Sequence, residues 1–343
     1  MLLTDYRPRS CLVTKTTEIL KPRFPVVDFH NHLGDEFGGG WIQRPLEELL
    51  AVLEEAGVRT YVDLDGMYGE DILDTHLKHL ESAGERFRVY GGVNWSAWQE
   101  QGDHFGEWAA ERLRIQKGRG AAGIKIWKLF GLHVRDHKDQ LVSVDDERLD
   151  PIWQAAGELK MPVAVHIADP AAFFEPLDEH NERWEELQGN PDWQFLSPPF
   201  PSFLSIVNAM GRVVERHPQT TFIGAHVAWY AENLGWVGDL LDRCPNLYID
   251  IGARIGELGR QPYTARRFFL RYANRILFGT DAGPNLDFYR IHYRFLETDD
   301  EYFNYNPGEI PGQGRWMIYG LHLPDEVLEK VYFRNADRIL ALS

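Results

Sequence analysis

Eight short apolar segments alternate with helix-like segments along most of the chain, and this alternation restricts the fold more than any other feature. The predicted strands are residues 26–29, 58–64, 87–93, 123–127, 162–165, 221–225, 247–251 and 275–278. The predicted helices follow them, at 44–56, 71–83, 107–116, 146–159, 202–216, 232–243, 264–272 and 324–342. Eight strands that each precede a helix are typical of a closed barrel with its helices outside.

The first strand distinguishes such a barrel from its main alternative, an open doubly wound sheet. Open sheets usually carry a glycine-rich phosphate loop directly after the first strand. Here the strand runs into His30-Asn31-His32, and the later Gly38-Gly39-Gly40 lacks the spacing of a dinucleotide site. The sequence therefore predicts an α/β fold, a (β/α)8 TIM-type barrel in one domain of residues 25–343, preceded by an N-terminal arm of residues 1–24.

Loop lengths indicate which end of the barrel carries a site. The links from helix to strand are short, whereas the strand-to-helix links 128–145, 167–201 and 282–323 are long. Barrel enzymes build their active sites from strand-to-helix loops, and long structureless loops are uncommon unless they are functional. Two aromatic-rich inserts, 167–201 and 297–319, are expected to cover a substrate or to form a subunit contact, and we favour a homodimer.

The charge balance excludes some partners. A net charge of −16 argues against binding nucleic acid or an anionic membrane surface. No apolar run approaches the roughly 20 residues that a membrane-spanning helix needs, and the N-terminus lacks the features of a secretion signal. We expect a cytoplasmic enzyme that acts on a small molecule.

Strand parity sorts the barrel residues into two sets, because alternate residues of a strand point to opposite faces. Branched or apolar residues are predicted to pack outward on the helices: Val27, Phe29, Val62, Leu64, Val89, Val93, Ile124, Ile126, Val163, Val165, Ile223, Ala225, Leu247, Ile249, Ile251, Ile276 and Phe278. The opposite parity is predicted to face the axis: Asp28, His30, His32, Asp63, Asp65, Asn94, Lys125, His166, His226, Asp250, Arg254 and Asp281. Burying that many polar groups costs several kcal/mol unless they are paired or bind metal.

The inward set therefore predicts a site with metal-binding character. His30 and His32, two residues apart on a strand, project side by side and make half of a metal site. His166 and His226 end two further strands, and parity aims Asp281 at them; these three are candidate ligands or catalysts. Histidines in helical segments, such as His76, are expected to face solvent.

Two further inward residues have less direct roles. Asp28 is expected to accept a hydrogen bond from an imidazole N–H. Lys125 is either a salt-bridged lysine at the barrel mouth or a functional residue, and the sequence leaves both interpretations open.

The ordered motifs resemble those of a known family. Asp28-Phe29-His30-Asn31-His32, then His166, His226, Gly279-Thr280-Asp281 and Asn335-Ala336 are similar to the amidohydrolase superfamily, and more closely to its amidohydrolase 2 branch. The resemblance implies a divalent metal at the carboxyl end of a (β/α)8 barrel, held by His30, His32, His166 and Asp281. It also implies that His226 is a catalytic base or electrostatic helper. Lys125 falls where other branches carry a carboxylated lysine, so it would be a further ligand only in a binuclear site.

The first functional hypothesis is metal-dependent hydrolysis of an amide, lactone or ester. Three imidazoles and a carboxylate suit Zn²⁺, and Mn²⁺ or Fe²⁺ would also accept these ligands. A metal-activated water would attack, Asp281 would carry its proton to the leaving group, and His226 would polarise the carbonyl or hold the oxyanion.

Two alternatives come from different classes of function. The first is a non-oxidative decarboxylase or hydratase of an unsaturated or aromatic carboxylate, resembling aminocarboxymuconate-semialdehyde decarboxylase. Arg254 and Arg135 would then bind substrate carboxylates, and Asn94, Trp95, Trp98 and Trp127 lie near the same mouth. The second alternative is a barrel that has lost catalysis and acts as a binding protein.

Overall fold

The computed structural model describes residues 1, 5–308 and 310–342 and contains one eight-stranded parallel sheet in the order β1 to β8. The strands are β1 Val26–Asn31, β2 Val58–Asp63, β3 Phe87–Gly92, β4 Gly123–Ile126, β5 Val163–Val165, β6 Phe222–Gly224, β7 Leu247–Asp250 and β8 Ile276–Leu277. Phe29 N donates to Phe278 O at 2.9 Å and Asp281 N donates to His30 O at 2.9 Å, which joins the last strand to the first. The predicted (β/α)8 barrel is confirmed.

The helices follow the strands in the expected order. They are α1 Leu46–Ala56, α2 Glu70–Leu80, α3 Trp98–Gln101, α4 Phe105–Arg119, α5 Asp150–Glu158, α6 Trp184–Gly189, α7 Phe203–Arg216, α8 Ala225–Ala228, α9 Leu234–Arg243, α10 Ile255–Arg260, α11 Pro262–Arg271, α12 Leu286–Glu297, α13 Asp325–Glu329 and α14 Asn335–Leu340. A π-helical turn, Lys330–Arg334, connects the last two.

One long loop was predicted wrongly. Residues 282–323 contain the twelve-residue helix α12. The Asn285 side chain accepts hydrogen bonds from two backbone N–H groups and so caps its start. Its buried residues recur three and four apart from Tyr289 to Leu296, the period of an amphipathic helix, and this signal could have identified it.

Two apolar clusters show where the strand residues point. The smaller cluster draws residues from six strands and from the C-terminal helix, so it fills the inside of the barrel: Val27, Phe29, Val62, Leu64, Tyr90, Ala164, Ile223, Leu277 and Ala336. The larger cluster lies between strands and helices, and it includes Val89, Val93, Ile124, Ile126, Val163, Val165, Leu247, Ile249, Ile251, Ile276 and Phe278. The predicted parity is confirmed for the members of this larger cluster.

Parity was wrong for Val27, Phe29, Val62, Leu64 and Ile223, which were predicted to face the helices. On β1 the pairing register with β2 shifts between Val26 and Val27 and again between Asp28 and Asn31. A one-residue slip reverses the face of every side chain beyond it. The polar residues at the strand ends therefore divide between the barrel axis and the outer helices.

The N-terminal arm packs along the outside of the barrel. Residues 6–24 form no helix or strand. Thr17 donates from its backbone N and its hydroxyl to Asp300 at 2.6 and 2.7 Å, and Lys15 pairs with Asp299 at 2.6 Å.

Among the described residues, no helix has the length and apolar character to cross a membrane. The homodimer stays a prediction.

Candidate metal centre

Five predicted side chains from four strands meet at the carboxyl end of the barrel. Asp281 is central: its Oδ1 lies 3.6 Å from His30 Nε2 and 3.4 Å from His32 Nε2, and its Oδ2 lies 3.8 Å from His226 Nε2. His166 belongs to the same group of side chains, since its Nδ1 lies 3.3 Å from His226 Nε2. The histidines are buried, whereas the Asp281 side chain is 22% exposed and faces the open side of the group.

Two carboxylates fix the orientation of the first two histidines. Asp250 Oδ2 accepts from His30 Nδ1 at 2.9 Å, and Asp65 Oδ1 accepts from His32 Nδ1 at 2.5 Å. Because an ionised carboxylate only accepts, both rings carry a hydrogen on Nδ1 and turn Nε2 toward Asp281. Metal-binding histidines usually have this arrangement, which fixes the tautomer and the ring plane.

Asp28 was predicted to take such a role, and this prediction was wrong. It accepts instead from the Tyr289 hydroxyl and Asn31 Nδ2, both at 2.7 Å, and from the backbone and hydroxyl of Thr280. The irregular register of β1 turns Asp28 toward α12, away from the imidazoles. Burial raises the pKa of Asp28 to about 6 in spite of these hydrogen bonds.

His226 is held in a single tautomer by the backbone. Its Nδ1 lies 2.7 Å from Gly252 O. Since a carbonyl oxygen only accepts, the ring hydrogen sits on Nδ1. Burial lowers the pKa of His226 well below its ordinary value of 6.5, so the ring is neutral near pH 7. Nε2 then presents a lone pair to the group and cannot donate to a carbonyl oxygen or an oxyanion.

Asp169 joins the site beside His166 and was missed at the sequence level. Its Oδ1 lies 2.8 Å from His166 Nε2, and its Oδ2 forms an ion pair with Arg254. The signal was its spacing, three residues after His166 and directly before Pro170. Although 2.8 Å apart, His166 Nε2 and Asp169 Oδ1 are not aligned for a hydrogen bond, and neither buried atom has another hydrogen-bond partner among the described residues. Orphaned atoms of this kind are typical of a site that a ligand completes.

The backbone at two of these residues is in the left-handed region. Asp281 has φ of 55°, and His226 to Trp229 form a run of positive φ that begins at 57°. Trp229 Nε1 donates to Val165 O at 2.7 Å and ties this run to β5. Non-glycine residues seldom adopt such angles, which cost about 1–3 kcal/mol each. The surrounding core therefore holds both side chains in position against local strain.

The donor set fits a divalent metal ion. Nitrogen and oxygen ligands lie about 2.0–2.2 Å from such an ion, and the ligand atoms of His30, His32 and Asp281 lie within 4.8 Å of one another. Burial alone would lower the pKa of His32, but Asp281 and Asp65 raise it to about 9. Metal binding at neutral pH therefore has to release a proton from His32.

Lys125 lies inside the same group, facing inward as predicted. Its Nζ is 3.0 Å from His30 Nε2, and its side chain is almost fully buried. Burial lowers the pKa of Lys125 from its ordinary value of 10.5, against the opposing effect of Asp281 and Asp250. Carboxylation of Lys125 and a second metal stay predictions.

The predicted substrate-binding residues differ in where they lie. Arg254 reaches the site, but it is buried and already paired with Asp169. The Arg135 side chain is 53% exposed, and its contacts within the described residues are to Asp139 of its own loop. Asn94 and Trp95 line a cavity with Met67 and Tyr68, between the loops that follow β2 and β3.

Two aromatic rings form a wall over the histidines. The Phe37 ring centroid lies 5.5 Å from that of His32 and 5.3 Å from that of Trp127. The Trp127 ring in turn stands edge-on to His166 at 4.9 Å. Trp127 was expected near the mouth, whereas Phe37, on a loop after β1, carried no signal in the sequence.

Replacing Asp65 by Asn should weaken metal binding by about 10-fold to 100-fold, the usual effect of losing the carboxylate behind a ligating histidine. Asp65 accepts from His32 Nδ1 and from the backbone N–H groups of Leu33 and Gly34. The asparagine amide has a single acceptor oxygen, so its NH2 group would face at least one of these three N–H donors and could not bond to it. Calorimetric titration of the metal-free protein with Mn²⁺ measures the affinity.

Asp63→Asn is the matched control, since Asp63 ends the same strand and is also buried against a histidine. Its partner is His76 of α2, at 2.5 Å. His76 was wrongly expected to face solvent and is 3% exposed, because Asp63 points outward to the helix. Equal loss of Mn²⁺ affinity in both variants, or no loss in Asp65→Asn, would contradict the role of Asp65.

Comparisons with known proteins agree with the barrel fold and identify a family. The model of a family described as Amidohydrolase matches residues 88–342, which is most of the chain. A search of curated proteins found no match.

Several solved structures share the fold at low sequence identity. A 2,6-dihydroxybenzoate decarboxylase from Rhizobium has a TM-score of 0.59 and 16% identity, over 93% of this chain and 99% of that chain. A dihydroxybenzoic acid decarboxylase from Polaromonas, with bound manganese and 2-nitroresorcinol, has a TM-score of 0.59 and 15% identity, over 93% and 97%. A 5-carboxyvanillate decarboxylase from Novosphingobium aromaticivorans, complexed with manganese, has a TM-score of 0.53 and 13% identity, over 96% and 100%.

Proposed function

We propose that this chain, which belongs to the amidohydrolase family, is a metal-dependent decarboxylase of an aromatic carboxylic acid. The sequence placed hydrolysis first and decarboxylation as its alternative. The alternative receives more support, because the similar structures named above are decarboxylases of hydroxylated or methoxylated benzoic acids.

The observation that carries the proposal is the aromatic wall beside the metal-binding group. Phe37 and Trp127 lie against the rings of His32 and His166, so a planar ring can stack there with its carboxylate at the histidines. Aromatic rings pack favourably at centroid separations of 4.5–7 Å. An extended peptide would make less use of this surface.

The chain’s own residues would hold a metal and the substrate carboxylate together. His30, His32, His166 and Asp281 would bind the ion, and Asp250 and Asp65 would keep the first two imidazoles aligned. A divalent ion held there would supply positive charge to an anionic substrate. Since two of the similar structures contain manganese, Mn²⁺ is the first ion to test.

Asp281 is the residue best placed to move the proton. Decarboxylation breaks the bond between the ring carbon and the carboxylate carbon, CO2 leaves, and the ring carbon takes a proton. His226 carries its hydrogen on Nδ1 toward Gly252 O and has none on Nε2 to give. Asp281 is partly exposed and can take a proton from solvent and pass it to the ring carbon.

Labelled substrate tests the reaction directly. The Mn²⁺-loaded protein is expected to release labelled CO2 from carboxyl-labelled 2,6-dihydroxybenzoate or a related hydroxybenzoate. In D2O, the product ring is expected to carry one deuterium at the carbon that lost the carboxylate. Protein treated with a chelator is the control and should release no label.

A different set of products would contradict the decarboxylase proposal. Hydrolysis of aryl esters, lactones or amides, with no labelled CO2 from a panel of aromatic acids, would return the chain to the hydrolase hypothesis. That outcome would require a donor to the oxyanion other than His226 Nε2.

A further inference from the structure

A buried lysine beside the metal centre has no anionic partner. Lys128 follows β4 and is 8% exposed. Within the part of the chain that the structure describes, its Nζ makes no hydrogen bond or ion pair. A buried ammonium normally pairs with a carboxylate, because leaving it alone in a poorly solvated site costs free energy.

Four aromatic rings surround this ammonium instead. Its Nζ lies 4.7 Å from the Trp193 ring centroid, 5.4 Å from Phe173, 5.5 Å from Trp127 and 6.0 Å from Phe195. Cations are attracted to ring faces within about 6 Å, but this attraction is smaller than a full ion pair. Three of the rings belong to the insert 167–201, so this insert encloses Lys128 together with β4.

The position of Trp127 connects Lys128 to the metal centre. The same indole lies 5.5 Å from Lys128 Nζ and 4.9 Å from the His166 ring centroid. A substrate ring stacked in this region, with one carboxylate at the histidines, can therefore bring a second substituent to Lys128.

The other cations near the site either have a partner or lie in solvent. Arg254 is bound to Asp169, and Lys125 lies against His30 within the metal-binding group. Arg135 lies exposed in its own loop. Among these residues, Lys128 is the cation with an uncommitted charge.

We propose that Lys128 and its aromatic cage form a subsite for a second acidic substituent on the substrate ring. This inference rests on the proposed function, since it assumes that one carboxylate of an aromatic acid occupies the metal centre. It identifies the preferred substrates as aromatic acids with two acidic groups. Burial lowers the pKa of Lys128 from its ordinary value of 10.5, and an anion bound there would raise this pKa again.

Binding measurements on the Mn²⁺-loaded protein test the subsite without using turnover. The probes are benzene-1,3-dicarboxylate and benzene-1,4-dicarboxylate, each compared with benzoate by calorimetry. We expect the better dicarboxylate to bind about 10-fold to 100-fold more tightly than benzoate, as a hydrogen bond to a buried charge implies. Lys128→Met, which keeps the side-chain volume, should remove this preference and leave the benzoate affinity within about twofold of wild type.

Two further variants control for structure and for charge in general. Lys128→Arg retains the cation and should retain most of the preference. Lys138→Met removes an exposed lysine of the same loop, 61% exposed, and should retain all of it. Thermal melts identify any variant that has lost its fold.

Each outcome decides between the proposals. The subsite is overturned if wild type shows no preference, or if Lys128→Met keeps the preference or loses affinity for benzoate and dicarboxylates equally. If the preference depends on Lys128 but no acid releases CO2, the subsite stands and the proposed reaction fails. If CO2 is released and the preference for dicarboxylates does not depend on Lys128, the proposed reaction is supported and the proposed subsite is wrong.

Discussion

Replacing Asp281 by Asn is expected to leave the barrel folded and to lower kcat by about 100-fold to 10,000-fold, the range that a positioned proton-transfer group contributes. Asp281 is the one carboxylate in contact with three of the four histidines. Burial alone would raise its pKa, but the imidazoles of His30, His32 and His226 lower that pKa well below its ordinary value of 3.8. Asn keeps the shape but cannot ionise or carry a proton.

The fold should survive because the backbone contact does not depend on the carboxylate. Asp281 N donates to His30 O at 2.9 Å in either variant. The measurement is kcat for labelled CO2 release at saturating Mn²⁺, with metal content determined on the same samples. Asp287→Asn is the matched control, since Asp287 is an exposed acid at the start of α12 on the same loop and should retain full activity.

A fully active Asp281→Asn enzyme with normal metal content would remove Asp281 from the mechanism. A variant whose activity returns to the wild-type value once Mn²⁺ saturates it would show that Asp281 acts only in metal binding. A variant that carries its full metal content and stays inactive would support the role of Asp281 in proton transfer.

The sequence predicted the barrel because the evidence for it is local. Each strand is a short apolar run, each helix has its own period, and eight repetitions leave few topologies. The residues of the site could also be identified from the sequence, because they are polar residues at strand ends where apolar residues would otherwise pack. They are His30, His32, His166, His226 and Asp281. These features require no knowledge of how distant segments meet.

The wrong predictions concern side chains whose orientation depends on an irregularity of the backbone. The register shifts in β1 turn Asp28 outward to Tyr289, and strict alternation cannot locate such a shift. His226 reaches the site through a left-handed turn that alternation does not describe. Its tautomer follows from a contact with Gly252 O, which only the folded chain creates.

The contributions of the loops were the least predictable. Lys128 is enclosed by rings of an insert more than 40 positions further along the chain, and no local pattern predicts this contact. Phe37 lies over His32 because the loop after β1 folds back on the barrel mouth. The amino-acid composition shows that these loops are rich in aromatic residues. It does not show which ring contacts which residue.

Arg183→Met is expected to reduce the free energy of unfolding by about 3–5 kcal/mol, the usual cost of removing one partner of a buried ion pair. Arg183 is 1% exposed and pairs with Glu257 of α10, which is 2% exposed, and with Glu186 at 2.6 Å. The pair joins the insert 167–201 to the barrel. Without Arg183, the carboxylate of Glu257 stays buried with Arg260 as a distant partner, 3.9 Å away.

Urea unfolding of three variants separates this cost from a general loss of charge. Arg243→Met breaks an exposed pair with Glu215, whose side chains are 56% and 42% exposed, and should cost less than about 1 kcal/mol. Arg183→Met combined with Glu257→Met should be more stable than Arg183→Met alone, because the buried Glu257 carboxylate is then no longer left without its partner. A double variant that is less stable than the single one would contradict this explanation.

The pH dependence gives an independent check with a fixed sign. Burial would raise the pKa of Glu257, but Arg183, Arg254 and Arg260 lower it below its ordinary value of 4.5. A depressed pKa in the folded state stabilises the protein above that ordinary value, and this stabilisation is lost as the pH falls through the folded-state pKa. The difference between wild type and Arg183→Met should therefore be largest near pH 7 and shrink as the pH falls below 4.5, through the folded-state pKa of Glu257. A difference that is constant over this range would mean that Arg183 stabilises the insert through packing and not through its charge.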